Sequence, residues 1–124
     1  MKKKVFSVSD INNYVKSILE DDYVLRNAYI KGEISNYKPH SSGHMYFTLK
    51  DENGAVSAVM FRASANSLSF VPESGMMVIV RAAVSMYVKT GQYQVYVYEM
   101  EIAGRGTLYE AFEKLKAKLD KEGL

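Results

Sequence analysis

Five stretches of two-residue hydrophobic periodicity, each ended by glycine, proline or a turn cluster, constrain this chain more than any other feature. Residues 25–37 alternate Ala28, Ile30, Gly32 and Ile34 with Tyr29, Lys31, Glu33 and Ser35. Residues 44–50 put Met45, Phe47 and Leu49 on one face and His44, Tyr46, Thr48 and Lys50 on the other. Residues 55–62, 76–87 and 93–102 follow in the same manner. Successive side chains of a strand point to opposite faces, so each run marks a strand. The first run is long, and Gly32 in its middle predicts a bulge or sharp bend of the kind that closes a barrel. Between the second and third, Asp51-Glu52-Asn53-Gly54 predicts a hairpin turn whose Asn-Gly step supplies positive φ angles.

Helical spacing appears in three places. Ser9 is the expected N-cap of a first helix, with Ile11, Tyr14, Val15, Ile18 and Leu19 as its apolar stripe and an end near Asp21 and Asp22. Residues 63–70, rich in Ala and Ser, fit one or two turns. Thr107 and Glu110 form a capping box for a last helix, whose stripe is Leu108, Ala111, Phe112, Leu115 and Leu119. The order is helix, three strands, short helix, two strands, helix. Five strands with a helix between the third and fourth is the order of a five-stranded OB-fold barrel, a mainly β architecture. An SH3-like barrel has five strands too, but the inserted segment at 63–70 argues against it. We therefore expect a helical segment at 1–22, a nucleic-acid-binding barrel at 23–103, and a linker helix at 104–124 behind the joint Ala103-Gly104-Arg105-Gly106. The last helix packs on the barrel, associates with a copy of itself, or leads toward a domain beyond this sequence. The third is our expectation.

With 124 residues, the chain holds one core. Its net charge of +2 excludes a histone-like basic binder but allows a localised basic groove. The absence of cysteine removes disulfides, thiolate zinc sites and cysteine nucleophiles. Met1-Lys2-Lys3-Lys4 is basic, yet no apolar leader segment follows it. No stretch reaches the ~18 apolar residues of a membrane span. We read the chain as cytoplasmic, without a membrane partner.

No catalytic constellation emerges. The two histidines, His40 and His44, lie in or beside one loop, and no nucleophile elbow, P-loop or His-Glu-x-x-His is present. Asp10, Glu20, Asp21, Asp22, Asp51, Glu52 and Glu73 fall in helices and turns, and Glu99 and Glu101 lie two apart on one strand face. No catalytic residue, metal or cofactor is expected.

Binding has more support. Residues 23–98 carry seven bases (Arg26, Lys31, Lys38, Lys50, Arg62, Arg81, Lys89) against four acids (Glu33, Asp51, Glu52, Glu73). A single strand needs aromatic faces for its bases and cations for its phosphates. Tyr46, with Phe61 at the end of the adjacent strand, could supply the first. Lys50, Arg62 and Arg81 could supply the second. Each has an ordinary alternative: Phe61 as core, Lys50 and Arg62 as solvated strand ends. The tyrosines Tyr87, Tyr93, Tyr96 and Tyr98 read as cross-strand packing pairs. Arg81, on a face of small or apolar residues, is expected to be exposed in a groove.

Several motifs in order resemble the N-terminal domain of the exodeoxyribonuclease VII large subunit family. They are Phe6-Ser7-Val8-Ser9-Asp10-Ile11-Asn12, Lys31-Gly32-Glu33-Ile34-Ser35-Asn36-Tyr37, Ser42-Gly43-His44-Met45-Tyr46-Phe47-Thr48-Leu49-Lys50-Asp51 and Ala58-Val59-Met60-Phe61-Arg62. Gly91-Gln92-Tyr93-Gln94, Leu115-Lys116-Ala117-Lys118-Leu119 and Glu122-Gly123-Leu124 extend the resemblance over almost the whole chain. Tyr96 and Tyr98 depart from the family pattern. The resemblance implies a domain that grips single-stranded DNA for a nuclease degrading it from either end to oligonucleotides. It also implies that the catalytic region and the contacts with small helical subunits lie further along the large subunit. The expected nucleic-acid-binding set is then Lys31, Tyr37, His44, Tyr46, Lys50, Phe61, Arg62 and Arg81. Two other readings remain: an RNA-binding domain like the anticodon-binding domain of class II tRNA synthetases, and a protein-interaction barrel.

Overall fold

A computed structural model describes residues 3–103. The expected helix at Thr107, its stripe and the linker at 104–124 lie outside the described residues. Within them, α1 (Val8–Asp21) precedes β1 (Ala28–Pro39), β2 (Met45–Lys50) and β3 (Ala55–Met60). A short α2 (Arg62–Ala65) leads to β4 (Met77–Tyr87) and β5 (Gln92–Ile102). The strands close in the order β1-β2-β3-β5-β4. All neighbours are antiparallel except β3 and β5, which pair in parallel through Ala58↔Val95 and Val59↔Tyr96. This is the five-stranded barrel that the order of runs implies. No described helix is long and apolar enough to cross a membrane.

Alternation decides what enters the barrel. Ile34, Met45, Phe47, Leu49, Met60, Val78, Val80, Val95 and Val97 all point inward and are buried in one core. Long β1 serves both edges of the closure: Ala28 to Glu33 pair with β4, and Glu33 to Pro39 pair with β2. Gly32 sits at the handover. It carries no bulge, but a Cβ there would stand 3.3 Å from the Cβ of Leu49, so the missing side chain lets two strands approach. The register break lies further on, between Ser35 and Lys38, where Asn36 takes φ 52°. Asparagine tolerates the left-handed region better than most residues, which is why the bulge settles there.

Other local expectations are corrected by side-chain chemistry. Ser7, not Ser9, caps α1. Its hydroxyl accepts from the Asp10 amide while the Asp10 carboxylate accepts from the Ser7 amide, both at 3.0 Å. An acid three residues after the cap makes the reciprocal box available to Ser7. The turn at 51–54 uses no positive φ at Asn53 or Gly54. Instead Asp51 Oδ1 accepts from the amides of Asn53 and Gly54 at 2.8 and 2.9 Å, an Asx turn that replaces the backbone geometry expected of Asn-Gly.

Helix α1 packs on β4, with only part of the expected stripe covered. Ile11, Tyr14 and Ile18 are exposed, and Val15 and Leu19 are half-buried. Asn12, Lys16 and Glu20 lie four apart on one flank. Two of them are pinned to β4 and the turn that follows it: Asn12 Nδ2 donates to the Val88 carbonyl at 2.8 Å, and Ser85 Oγ donates to Glu20 at 3.1 Å. These polar bonds set the helix's rotation.

Candidate nucleic-acid interface

The outer face of β2, β3 and β5 is the candidate site. Pairing puts Tyr46 opposite Val59, and Val59 beside Tyr96. Directly after β3, Phe61 is the N-cap of α2 and Arg62 is its first residue, so both lie just beyond the strand they were expected to end. The Phe61 ring stacks on Tyr96, with centroids 5.8 Å apart and planes at 19°. His44 also meets Phe61, edge-on at 5.2 Å. Tyr46 is met edge-on by His40 at 6.3 Å. Phe61 stays about half exposed, at 48%, and is therefore not a core residue. The result is a run of aromatic rings across three strands, with Tyr46 and Phe61 exposed and His44 and Tyr96 half-buried.

Arg62 is placed by two neighbours. Its backbone N–H donates to His44 Nδ1 at 2.9 Å. With Nδ1 accepting, the neutral imidazole carries its proton on Nε2, which is left as a donor. The Arg62 side chain runs over Gly43, whose φ is +92°. A Cβ on that glycine would stand 2.7 Å from Arg62 Cγ. Gly43 is thus required both by its own turn and by the close passage of the arginine stem. Arg62 is exposed and follows Phe61 directly in the chain.

The other expected residues lie elsewhere. Lys50 is at the far end of β2, in an ion pair with Glu33 at 3.7 Å, beside a cavity also lined by Asp51, Glu52 and Asn53. Lys31 is exposed on β1 and borders a second hollow that Lys50 also lines. Tyr37 turns toward the core, its hydroxyl 3.1 Å from Met45 Sδ. Arg81 is engaged on three sides. It donates to Asn27 at 3.2 Å, pairs with Glu99 at 3.1 Å, and lies 5.2 Å over the Tyr98 ring. A bulge explains that cluster: Arg81 pairs with Glu99 and Ala82 with Val97, so Tyr98 is the extra residue of β5. The structure brings together His44, Tyr46, Phe61 and Arg62, and does not bring Lys31, Tyr37, Lys50 or Arg81 to the same spot.

Sequence reasoning passed over Tyr96. It was expected to pack against another tyrosine across β4 and β5. However, its β4 partner is Ala83, while Tyr93 and Tyr87 face Met86 and Gln92. The signal that could have found it was parity: Tyr96 is one residue out of phase with the inward Val95 and Val97. Among the described residues no three His, Asp or Glu side chains converge as metal ligands would.

A closed five-stranded barrel with an exposed aromatic face and an exposed arginine next to Phe61 in the chain defines a class, the nucleic-acid-binding barrels. Residues 6–101 match the family model described as OB-fold nucleic acid binding domain, and the chain belongs to that family. It is 59% identical over 121 residues to the exodeoxyribonuclease 7 large subunit of Clostridium acetobutylicum, covering 98% of this chain and 30% of that protein. The same subunit of Alkaliphilus oremlandii is 53% identical over 124 residues, covering 100% and 30%. The chain corresponds to the N-terminal part of these relatives and spans about 30% of their length. Among solved structures, the second OB-fold domain of replication protein A from Methanococcus maripaludis superposes with TM-score 0.52 at 16% identity, covering 67% of this chain and 89% of that one. Asparaginyl-tRNA synthetase of Entamoeba histolytica gives 0.56 at 11%, covering 70% and 22%. These two likenesses are of fold.

Proposed function

We propose that this domain binds single-stranded DNA on the β2–β3–β5 face, as the gripping module of an exodeoxyribonuclease VII large subunit. One observation carries the reading: the stack of exposed Phe61 on half-buried Tyr96, with exposed Arg62 next in the chain. A duplex hides its base faces, so an exposed aromatic platform is useful only to unstacked bases. The arginine answers the phosphates. The choice of DNA rests on the relatives, which are named as deoxyribonucleases.

The proposal extends to the whole protein as the resemblance of its motifs implies. The nuclease chemistry, hydrolysis of single-stranded DNA to oligonucleotides, belongs to a region outside this domain. So does the contact with the small subunit. The cytoplasm is the proposed compartment. Self-association through residues 107–119 is a further proposal.

Fluorescence anisotropy with labelled single-stranded DNA, the matching duplex and single-stranded RNA tests the reading, each over a salt series. Single-stranded DNA binds best, and affinity falls as salt rises because phosphate contacts release counterions. Failure to bind single-stranded DNA at low salt, or stronger binding of duplex, refutes it.

A further inference from the structure

The aromatic face does not end at Tyr96. Beyond it lies a cleft of about 350 Å³ between α1 and the sheet, floored by Ala83, Ser85, Tyr96 and Tyr98 and bordered by Lys16 and Arg26. Tyr96 belongs to both, stacked under Phe61 on one side and lining the cleft on the other. The wall is built by the polar flank of α1. Asn12 and Glu20 are fastened to Val88 and Ser85, and Lys16, midway between them, is held half-buried at the cleft. Arg26 stands at the end of the connection from α1 to β1.

The electrostatics are unbalanced. Neither Lys16 nor Arg26 has an ion pair among the described residues. The one acid in the cleft, Glu20, is turned to the Ser85 hydroxyl. By contrast, Lys50 and Arg81 each have an acid beside them. A half-buried lysine with no ion pair among the described residues, lining a groove that shares Tyr96 with the base-stacking platform, suits a phosphate.

We infer that the cleft between α1 and the barrel is a second binding segment, taking the phosphodiester backbone of the strand as it leaves the Phe61–Tyr96 platform. Lys16 and Arg26 hold the phosphates there, and α1 acts as a side wall that lengthens the path. The inference rests on the barrel face being a single-strand surface, and its test separates the two.

Wild-type chain, K16A/R26A and F61A are titrated with a short single strand of about 5 nucleotides and a long one of about 15, spanning the range one OB fold holds. F61A weakens both lengths if the platform reading is right. K16A/R26A leaves the short strand unchanged and weakens the long one on the order of tenfold. Its salt slope on the long strand falls by about 1.4, at ~0.7 per lost phosphate contact. Acetylation mapping gives a readout without mutation: the Lys16 amine is protected by the long strand and not by the short. Wild-type affinity and slope for K16A/R26A on the long strand overturn the inference, as does equal weakening on both lengths or an unprotected Lys16. If F61A changes neither length while K16A/R26A weakens the long strand, the platform reading fails and the cleft stands alone as the cation site.

Discussion

Truncating Phe61 to alanine separates a binding ring from a packing ring, because the two roles differ in size and in assay. A fully enclosed Phe side chain buries on the order of 200 Å². Phe61 keeps 48% exposure, so about 100 Å² is covered, chiefly by Tyr96 and His44. Alanine retains a small part of that contact. At about 25 cal/mol per Å², reduced because unfolded chains already bury some surface, the loss is about 1.5 kcal/mol. Phe47, 4% exposed in the core, should instead cost about 3–5 kcal/mol when truncated. The chain has no tryptophan, so urea unfolding is best followed by circular dichroism, comparing midpoints at constant slope. In anisotropy, Phe61→Ala should lose about 1–3 kcal/mol of single-strand affinity, the range measured for one stacked base. A stability loss matching that of Phe47→Ala would show that Phe61 packs more than it binds. An unchanged affinity would show that the exposed stack is not the platform.

Further outcomes follow from neighbouring geometry. Tyr96→Phe keeps the ring and should bind within about twofold of wild type. Phe61→Ala and Tyr96→Ala should be non-additive by about 0.5–1.5 kcal/mol in a double-mutant cycle, the coupling of a stacked aromatic pair; additive losses would mean the rings act separately. Gly43→Ala must hold φ near +92° and displace the Arg62 stem, so it should lower stability by about 1–3 kcal/mol and weaken binding as well; a melting temperature equal to wild type would refute this. Arg81→Ala should leave single-strand affinity within about twofold, since the guanidinium is already committed to Glu99, Asn27 and Tyr98, and lower stability by at most about 1 kcal/mol because the ion pair is partly exposed. A large affinity loss there would return Arg81 to the interface. Ser7→Ala removes the α1 cap and should lower stability by about 1 kcal/mol in the same unfolding assay.

The barrel itself was legible in the chain because its determinants are local. Alternation marks strands whatever they pair with, and turn residues mark where they stop. Ile34, Phe47, Leu49 and Val80 are inward by parity alone. The motifs around His44, Tyr46, Phe61 and Arg62 likewise pointed to the face that the fold then brought together.

What the chain could not show was anything that depends on which strand lies beside which. Parity tells that Tyr96 points outward, but only the parallel pairing of β3 with β5 sets it under Phe61. The same parity places Lys50 and Tyr46 on one face, yet closure leaves Lys50 at the far rim beside Glu33. Arg81 reads as a lone cation until the β5 bulge delivers Tyr98 and Glu99 to it. Helix α1 shows an apolar stripe, yet only Val15 and Leu19 of it are half-buried, and hydrogen bonds fasten Asn12 to Val88 and Glu20 to Ser85 beside a cleft. Local periodicity fixes the direction of each side chain. Partners are fixed by register between segments distant in the chain, and that register is a property of the closed barrel.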